Sequence, residues 1–224
     1  MTELHPFISI PGIPFYVTYS WVAMAFLVGF ALLVRRGLKL VPRTLQNVAE
    51  AIVEGLYNFC KDNLGHKWGR TFFPFLGSVF LYILVCNLFG LIPGFEAPTD
   101  SINTTAACAL PVFLVTHYYG IKVHGSGYIK HFLGPMRSVY ALPLMLLMFL
   151  VEVISHLARP VTLSIRLFGN MIAKYYLLTV AITLVPAFVP ILILGLGLLV
   201  SVVQAFVFML LSMIYFSGVV EEAH

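Results

Sequence analysis

Long apolar runs at about 14–34, 72–92, 104–121, 139–179 and 181–219 set the layout of this chain. The first three are close to the roughly 20 residues that a helix needs to cross a 30 Å hydrocarbon core. The last two are longer. As continuous helix each would extend on the order of 60 Å, about twice the thickness of that core. They must tilt strongly or break into re-entrant pairs, at Pro160 in one or at Gly195 and Gly197 in the other. The polar residues of the fourth run keep one helical phase across Pro160, which favours tilt there.

A different pattern fills the gap between the first two runs, TLQNVAEAIVEGLYNFCKDNLG. Leu45, Val48, Ile52, Leu56 and Phe59 recur on one helical stripe, and Glu50, Glu54, Asn58 and Lys61 fall on the other face. The spacing predicts a surface amphipathic helix over 44–63, lying along the cytoplasmic face of the membrane. It serves either as a connector resting on lipid or as a docking surface for a peripheral partner. The expected fold is an all-α polytopic integral membrane protein, a single membrane domain over 1–224. It has about five transmembrane helices plus the interfacial one: a first crossing at 14–34, a helical hairpin at 72–121, and two long, strongly tilted helices at 139–219.

Composition agrees. The chain is 60% hydrophobic and only 10% charged, with a mean hydropathy of +0.97, whereas soluble domains have about a quarter of their residues charged. The net charge of +4 does not point to nucleic acid, because the basic residues flank apolar runs. Arg35, Arg36, Lys39 and Arg43 follow the first run, and Lys122, Lys130 and Arg137 follow the third; 93–103 and 180–190 carry no Lys or Arg. With one crossing per run, the N-terminus is expected outside and the C-terminal EEAH inside. MTELHPFISIPGIPF lacks the basic segment and cleavage site of a secretory signal, so the first run is expected to remain as a crossing. Cys60, Cys86 and Cys108 stand singly, as small buried hydrophobes do, without metal-ligand spacing.

The costly residue is Arg166, at the centre of LSIRLFGN. A guanidinium at mid-membrane costs roughly 2.5–3.5 kcal/mol on insertion scales. At 100° per residue, Glu152, Ser155, Arg159, Thr162 and Asn170 all fall within about 40° of Arg166, and His156 and Lys174 within about 80°. Polar side chains on one face of an apolar helix make a hydrated or protein-facing seam. Glu152 is about 21 Å along the helix from Arg166, too far to pair with it. The counter-charge is therefore expected on another subunit, on a substrate anion or in water. On the fifth run Ser201, Gln204, Ser212 and Tyr215 share a side with Phe208, and Gln204 is the candidate to face Arg166, because an amide both donates and accepts.

These residues resemble the a subunit (subunit 6) of the F-type ATP synthase membrane sector. Ser155, Arg159, Pro160, Arg166 and Asn170 stand at matching positions in SHLARPVTLSIRLFGNMIA; QAFVFMLLSMIYFSGVVEEAH is similar to the family's last helix and NLFGLIPGFEAPTDSINTT to its loop after the hairpin's first helix. The resemblance runs from about residue 40 onward. It implies an ion-translocating stator subunit that changes no bond itself and needs neither cofactor nor metal. Its partners would be a rotor ring of c subunits with an intramembrane carboxylate, the peripheral-stalk b subunits and the rest of the complex. Arg166 would face the ring, with Asn170 and Gln204 beside it. Glu152 and Ser155, with Arg159 in phase, would belong to a cytoplasmic half-channel and Asn87 to the outer path. Many members place an acid after GNM, matched by a polar residue on the last helix; here Lys174 and Tyr175 follow, opposite Gly195 and Gly197. Lys174 is then either an outer-channel gate or a lysine reaching for the outer surface. A bacterial cytoplasmic membrane is the expected location.

Two other classes compete. An ion-coupled secondary transporter or channel would use Arg166 to bind an anionic substrate, although five crossings without an inverted repeat fit it poorly. An intramembrane hydrolase would use Glu152 and His156, but no further cluster completes a zinc site.

Overall fold

The computed structural model describes residues 12–37, 44–92, 95–125, 142–185 and 188–221. They form α1 (Phe15–Arg36), α2 (Thr44–Phe89), a 3-10 turn (Pro98–Asp100), α3 (Ile102–His124), α4 (Leu142–Leu184) and α5 (Val189–Glu221). All five helices are long and apolar enough to cross a membrane. Lys39, Arg43, Lys130 and Arg137, which carry part of the predicted charge bias, lie outside the described residues, as do 222–224.

Helix α2 contains both the predicted surface helix and the second crossing, joined at a bend. Gly65 sits at φ 74, ψ 169, which is not helical. Gly69 and Lys61 would be about 12 Å apart on a straight helix. Instead a Cβ on Gly69 would stand 2.8 Å from the Lys61 Cα, so the chain folds sharply and only hydrogen fits in the corner. The first arm keeps its amphipathic pattern, but its two ends differ. Leu56 and Phe59 pack on the core and Cys60 is buried, whereas Val48 and Ile52 stay exposed. Lys61, Lys67 and Arg70 cluster around the bend, with the Lys67 ammonium 5.4 Å over the Trp68 ring.

One core gathers residues of α2, α3, α4 and α5, among them Phe72, Leu76, Ile83, Val112, Leu163, Leu167, Phe208, Met209 and Phe216. Phe72 and Phe216 stack at 4.4 Å with 11° between planes. Aromatic pairs of this kind add about 0.5–1.5 kcal/mol beyond burial. α1 is more peripheral: Ala23 joins Val85 and Cys86 in a small separate cluster.

The long helices do not break. α4 runs through Pro160 for 43 residues and α5 through Gly195 and Gly197 for 33. The re-entrant alternative is thereby excluded, and at about 65 Å α4 exceeds the hydrocarbon core unless inclined. Two contacts fix which ends lie together. Asn103, at the start of α3, donates to the Tyr16 hydroxyl of α1 at 3.1 Å, and His124, at its end, meets the Val219 carbonyl of α5 at 2.8 Å. The starts of α1 and α3 therefore share one end of the bundle, and the finishes of α3 and α5 the other.

Candidate functional site

The buried side of α4 comprises His156, Leu163, Ser164, Leu167, Met171 and Ala181. These residues centre about 100° around the helix from Arg166. The polar stripe is therefore rotated out of the bundle. Ser155, Thr162, Arg166 and Asn170 are exposed, and among the described residues Arg166 makes no hydrogen bond or ion pair. His156 and Lys174, some 80° away on the inner edge of the stripe, turn into the protein instead.

Beside the stripe stands α5. Ser201, Gln204 and Ser212 are buried, and Tyr215 is half-buried. Asn170 donates its side-chain amide to Gln204 Oε1 at 2.7 Å. Gln204 is thus matched to Asn170, one turn beyond Arg166. Helical phase had given its face correctly but not its height. The hydroxyls of Ser201 and Ser212 donate to carbonyls of their own helix, at Gly197 and Phe208.

On one side of Arg166 lies a cluster that includes a residue the sequence did not single out. Glu152 Oε1 is 3.4 Å from His156 Nδ1, an i to i+4 pair. The His156 ring stands edge-on to His117 of α3 at 5.4 Å. Arg159 leans on α5, its guanidinium 5.1 Å over the Tyr215 ring. A small cavity of about 10 Å³ is lined by His117, Arg159, Pro160 and Tyr215. Glu152 has His156 as its partner. His117 had no distinguishing pattern in α3, since its importance arises only from what α4 places beside it.

About 12 Å beyond Arg166 in the other direction lies a second cluster, around Lys174. Its Nζ donates to the Asn87 carbonyl at 3.4 Å. Asn87 is fully buried, accepts from Thr99 through Oδ1 at 2.8 Å, and receives the Ser201 hydroxyl on its carbonyl at 3.5 Å. Lys174 lies against two glycines, Gly90 just past α2 and Gly197 on α5. A Cβ on Gly197 would stand 3.0 Å from Lys174 Cδ, and one on Gly90 would stand 3.3 Å from Nζ and 2.7 Å from the Ala97 Cβ. Asp100, at the end of the 3-10 turn, joins this cluster; its Oδ1 is buried and without a hydrogen-bond partner, as is the Asn87 Nδ2.

Two cavities meet at Lys174. A cleft of about 320 Å³ is lined by Asn170, Lys174, Leu196, Gly197 and Val200, and a smaller cavity of about 40 Å³ by Gly90, Glu96, Asp100, Lys174 and Tyr175. Lys174 and Ile193 line both. Lys174 thus stands between a cavity at the Pro98–Asp100 end of the bundle and a mostly apolar cleft that reaches Asn170. Among the described residues no group of three or more His, Cys, Asp or Glu could hold a metal ion, and the three cysteines are free and buried.

Residues 17–217 match the family model described as ATP synthase A chain. "ATP synthase subunit a 1" of Pelobacter propionicus is 50% identical over 208 residues, covering 93% of this chain and 88% of its own length. The "ATP synthase subunit a" of Trichlorobacter lovleyi is 49% identical and that of Geobacter sulfurreducens 46%, each with the same coverage.

Proposed function

This chain belongs to the ATP synthase A chain family, and from that membership we propose how its residues carry ions. It is a membrane-sector subunit of the F-type ATP synthase and works as a non-catalytic stator. Its partner along the outward face of α4 is a rotor ring of c subunits, each with an intramembrane carboxylate. Peripheral-stalk b subunits hold it against the ring's rotation. The carrying observation is Arg166, turned out of the bundle with no partner among the described residues and a separate polar cluster on each side of it.

An arginine about 4 Å from a ring carboxylate, at an effective dielectric of 20, favours the ionised carboxylate by roughly 4 kcal/mol, a factor of about a thousand. Each ring site reaching Arg166 therefore gives up its cation. The same fixed charge repels a cation that would pass straight from one cluster to the other. Arginine suits both tasks because it does not neutralise itself by losing a proton. Asn170 and Gln204, bonded to each other, close the seam next to Arg166. Glu152, Ser155 and Arg159 belong to the inner half-channel, and Asn87 and Lys174 to the outer one, where Lys174 acts as a gate. The membrane potential supplies about 2.3 kcal/mol per charge per 100 mV.

The bacterial relatives support a bacterial cytoplasmic membrane, and charge bias supports an orientation with the Pro98–Asp100 end outside. Arg35, Arg36, Lys61, Lys67, Arg70 and Lys122 lie toward the other end, and the C-terminus is cytoplasmic with them.

The test is ATP synthesis by the assembled enzyme in vesicles under an imposed ion gradient, Arg166→Ala beside wild type. Loss of synthesis with the complex still assembled is expected; synthesis near the wild-type rate would leave Arg166 a structural role only. Reconstituted without its ring, the chain should transport nothing, whereas a transporter or channel would be active alone.

A further inference from the structure

Lys174 is the only lysine on α4, and it lies on the wall between two cavities. Its ammonium lies beside Gly90 of the smaller, loop-side cavity and donates to the Asn87 carbonyl, while its stem occupies the surface that the cleft to Asn170 shares. A flexible side chain of this kind can deliver its charge to either side of the wall. What decides the side has to lie in the smaller cavity, because the cleft offers Asn170 and apolar residues.

Asp100 is the anion placed to decide it. It lines the cavity with Lys174, and the structure closes no ion pair between them, so the two charges face each other across the space. Its buried Oδ1 has no hydrogen-bond donor. A buried acceptor left empty costs about 1–3 kcal/mol, more for a charged group, so a donor that can reach it will be drawn to it. The Lys174 ammonium, on a flexible stem in the lining of the same cavity, is such a donor.

We propose that Asp100 is the positioning residue for Lys174: its carboxylate draws the ammonium to the loop side of the wall and so keeps the cleft toward Asn170 and Arg166 open to an incoming cation. This rests on the outer half-channel assigned above and adds the group that regulates it. When Asp100 is neutral, the ammonium is no longer held outward. The stem sweeps back along Gly197, and the charge then stands in the path of the cation.

Acidity outside the membrane should operate this device. Burial pushes the Asp100 carboxyl up from 3.8 to about 6; Lys174 opposes that rise and Glu96 adds to it. The ionisable groups around Asp100 are Glu96 on the same loop, Lys174 and Tyr175 on α4, and the phenols of Tyr16 and Tyr19 at the start of α1, which contact Asn103 and Phe95. Gly90, just past α2, and Ile193 and Leu194 of α5 also line the cavity.

The experiment measures ATP synthesis by the assembled enzyme in vesicles, at fixed potential and inner pH, while the outer pH is varied. Wild type, Asp100→Asn, Lys174→Gln and the double variant are compared, with Asp100→Ser in reserve should the amide fail to assemble. Wild type should show an acid limb near about pH 6. Asp100→Asn should lose that limb and run on the order of tenfold slower at neutral outer pH. In the Lys174→Gln background the Asp100 substitution should change nothing, since there is no ammonium to position. An equal loss in both backgrounds would overturn the proposal by showing that Asp100 acts without Lys174, and so would an unchanged rate and profile for Asp100→Asn alone. Arg166→Ala, run in parallel, separates this from the half-channel assignment: only retention of synthesis there would count against that assignment.

Discussion

Asn170 and Gln204 join α4 to α5 by a side-chain hydrogen bond of 2.7 Å, one helical turn from an arginine that is bonded to nothing described. The amides tie the two helices and leave the guanidinium out of the tie. In the role proposed for it, a charge that meets a succession of passing partners has to be held in place by its neighbours rather than by a permanent partner.

Replacing Gln204 by Leu should strand the Asn170 amide and cost about 1–3 kcal/mol of stability. The thermal midpoint of the complex should fall. Replacing both amides by Leu should recover most of that loss, since nothing is then left unpaired, yet synthesis should remain low. A double variant no more stable than the single one would show that the bond contributes nothing to the seam.

Lys174→Gly should alter how synthesis depends on outer pH, because it removes the ammonium from the wall between the cavities. Gly197→Val should produce a related change without touching the charge, since its side chain would claim the space that Lys174 Cδ now fills at 3.0 Å from the first added carbon. Rate-against-pH curves that superimpose on wild type for both variants would remove Lys174 from the ion path.

Asp100 makes the chain more stable in acid. Its folded value of about 6 lies above its ordinary 3.8, so the folded state binds the proton more tightly. Stability is fullest below the lower value, declines as pH rises between the two and is level beyond. Asp100→Asn mimics the protonated carboxyl. It should raise the thermal midpoint at about pH 7.5 and raise it less at about pH 5. A midpoint unchanged or lowered at the higher pH would contradict the burial of this group.

The bend in α2 depends on two glycines for separate reasons. Gly65→Ala places a side chain at φ 74, ψ 169, a region kept almost wholly to glycine, and should cost about 1–3 kcal/mol. Gly69→Ala drives a methyl to 2.8 Å from the Lys61 backbone, and this should be the more damaging of the two because backbone does not yield. Yield of assembled complex and thermal midpoint would rank them; the reverse order would mean that the corner opens readily.

Periodicity made some of this legible and not the rest. The stripe from Glu152 to Lys174 was visible because a helix writes its faces into the sequence every 3.6 residues. The stripe's direction was not, because that depends on how α4 is rotated against α3 and α5. It faces out of the bundle at Arg166, while the 80° offset carries His156 and Lys174 inward. Relative height between helices escaped in the same way, so Gln204 met Asn170 rather than Arg166. Asp100 and Lys174 are separated by 74 residues and His117 and His156 by 39, and no local pattern joins residues that far apart. The unbroken course of α4 through Pro160 could be read, because a break would have scattered the polar phase.

Gly65 also gives the molecule an elbow. Cys60 and Leu64 on the first arm of α2 and Phe72 on the second belong to one core cluster, with Gly69 wedged against Lys61 between them. Such a joint is braced on its inside corner. A sideways push on the Thr44–Leu64 arm is carried around the corner to Phe72 and from there, through a flat stack of rings, to Phe216 on α5. α5 is the helix that grips Asn170. Against the torque of the turning ring proposed above, α2 would act as a bracket, and the stiffness of its corner would limit how far the arginine's helix recoils at each step.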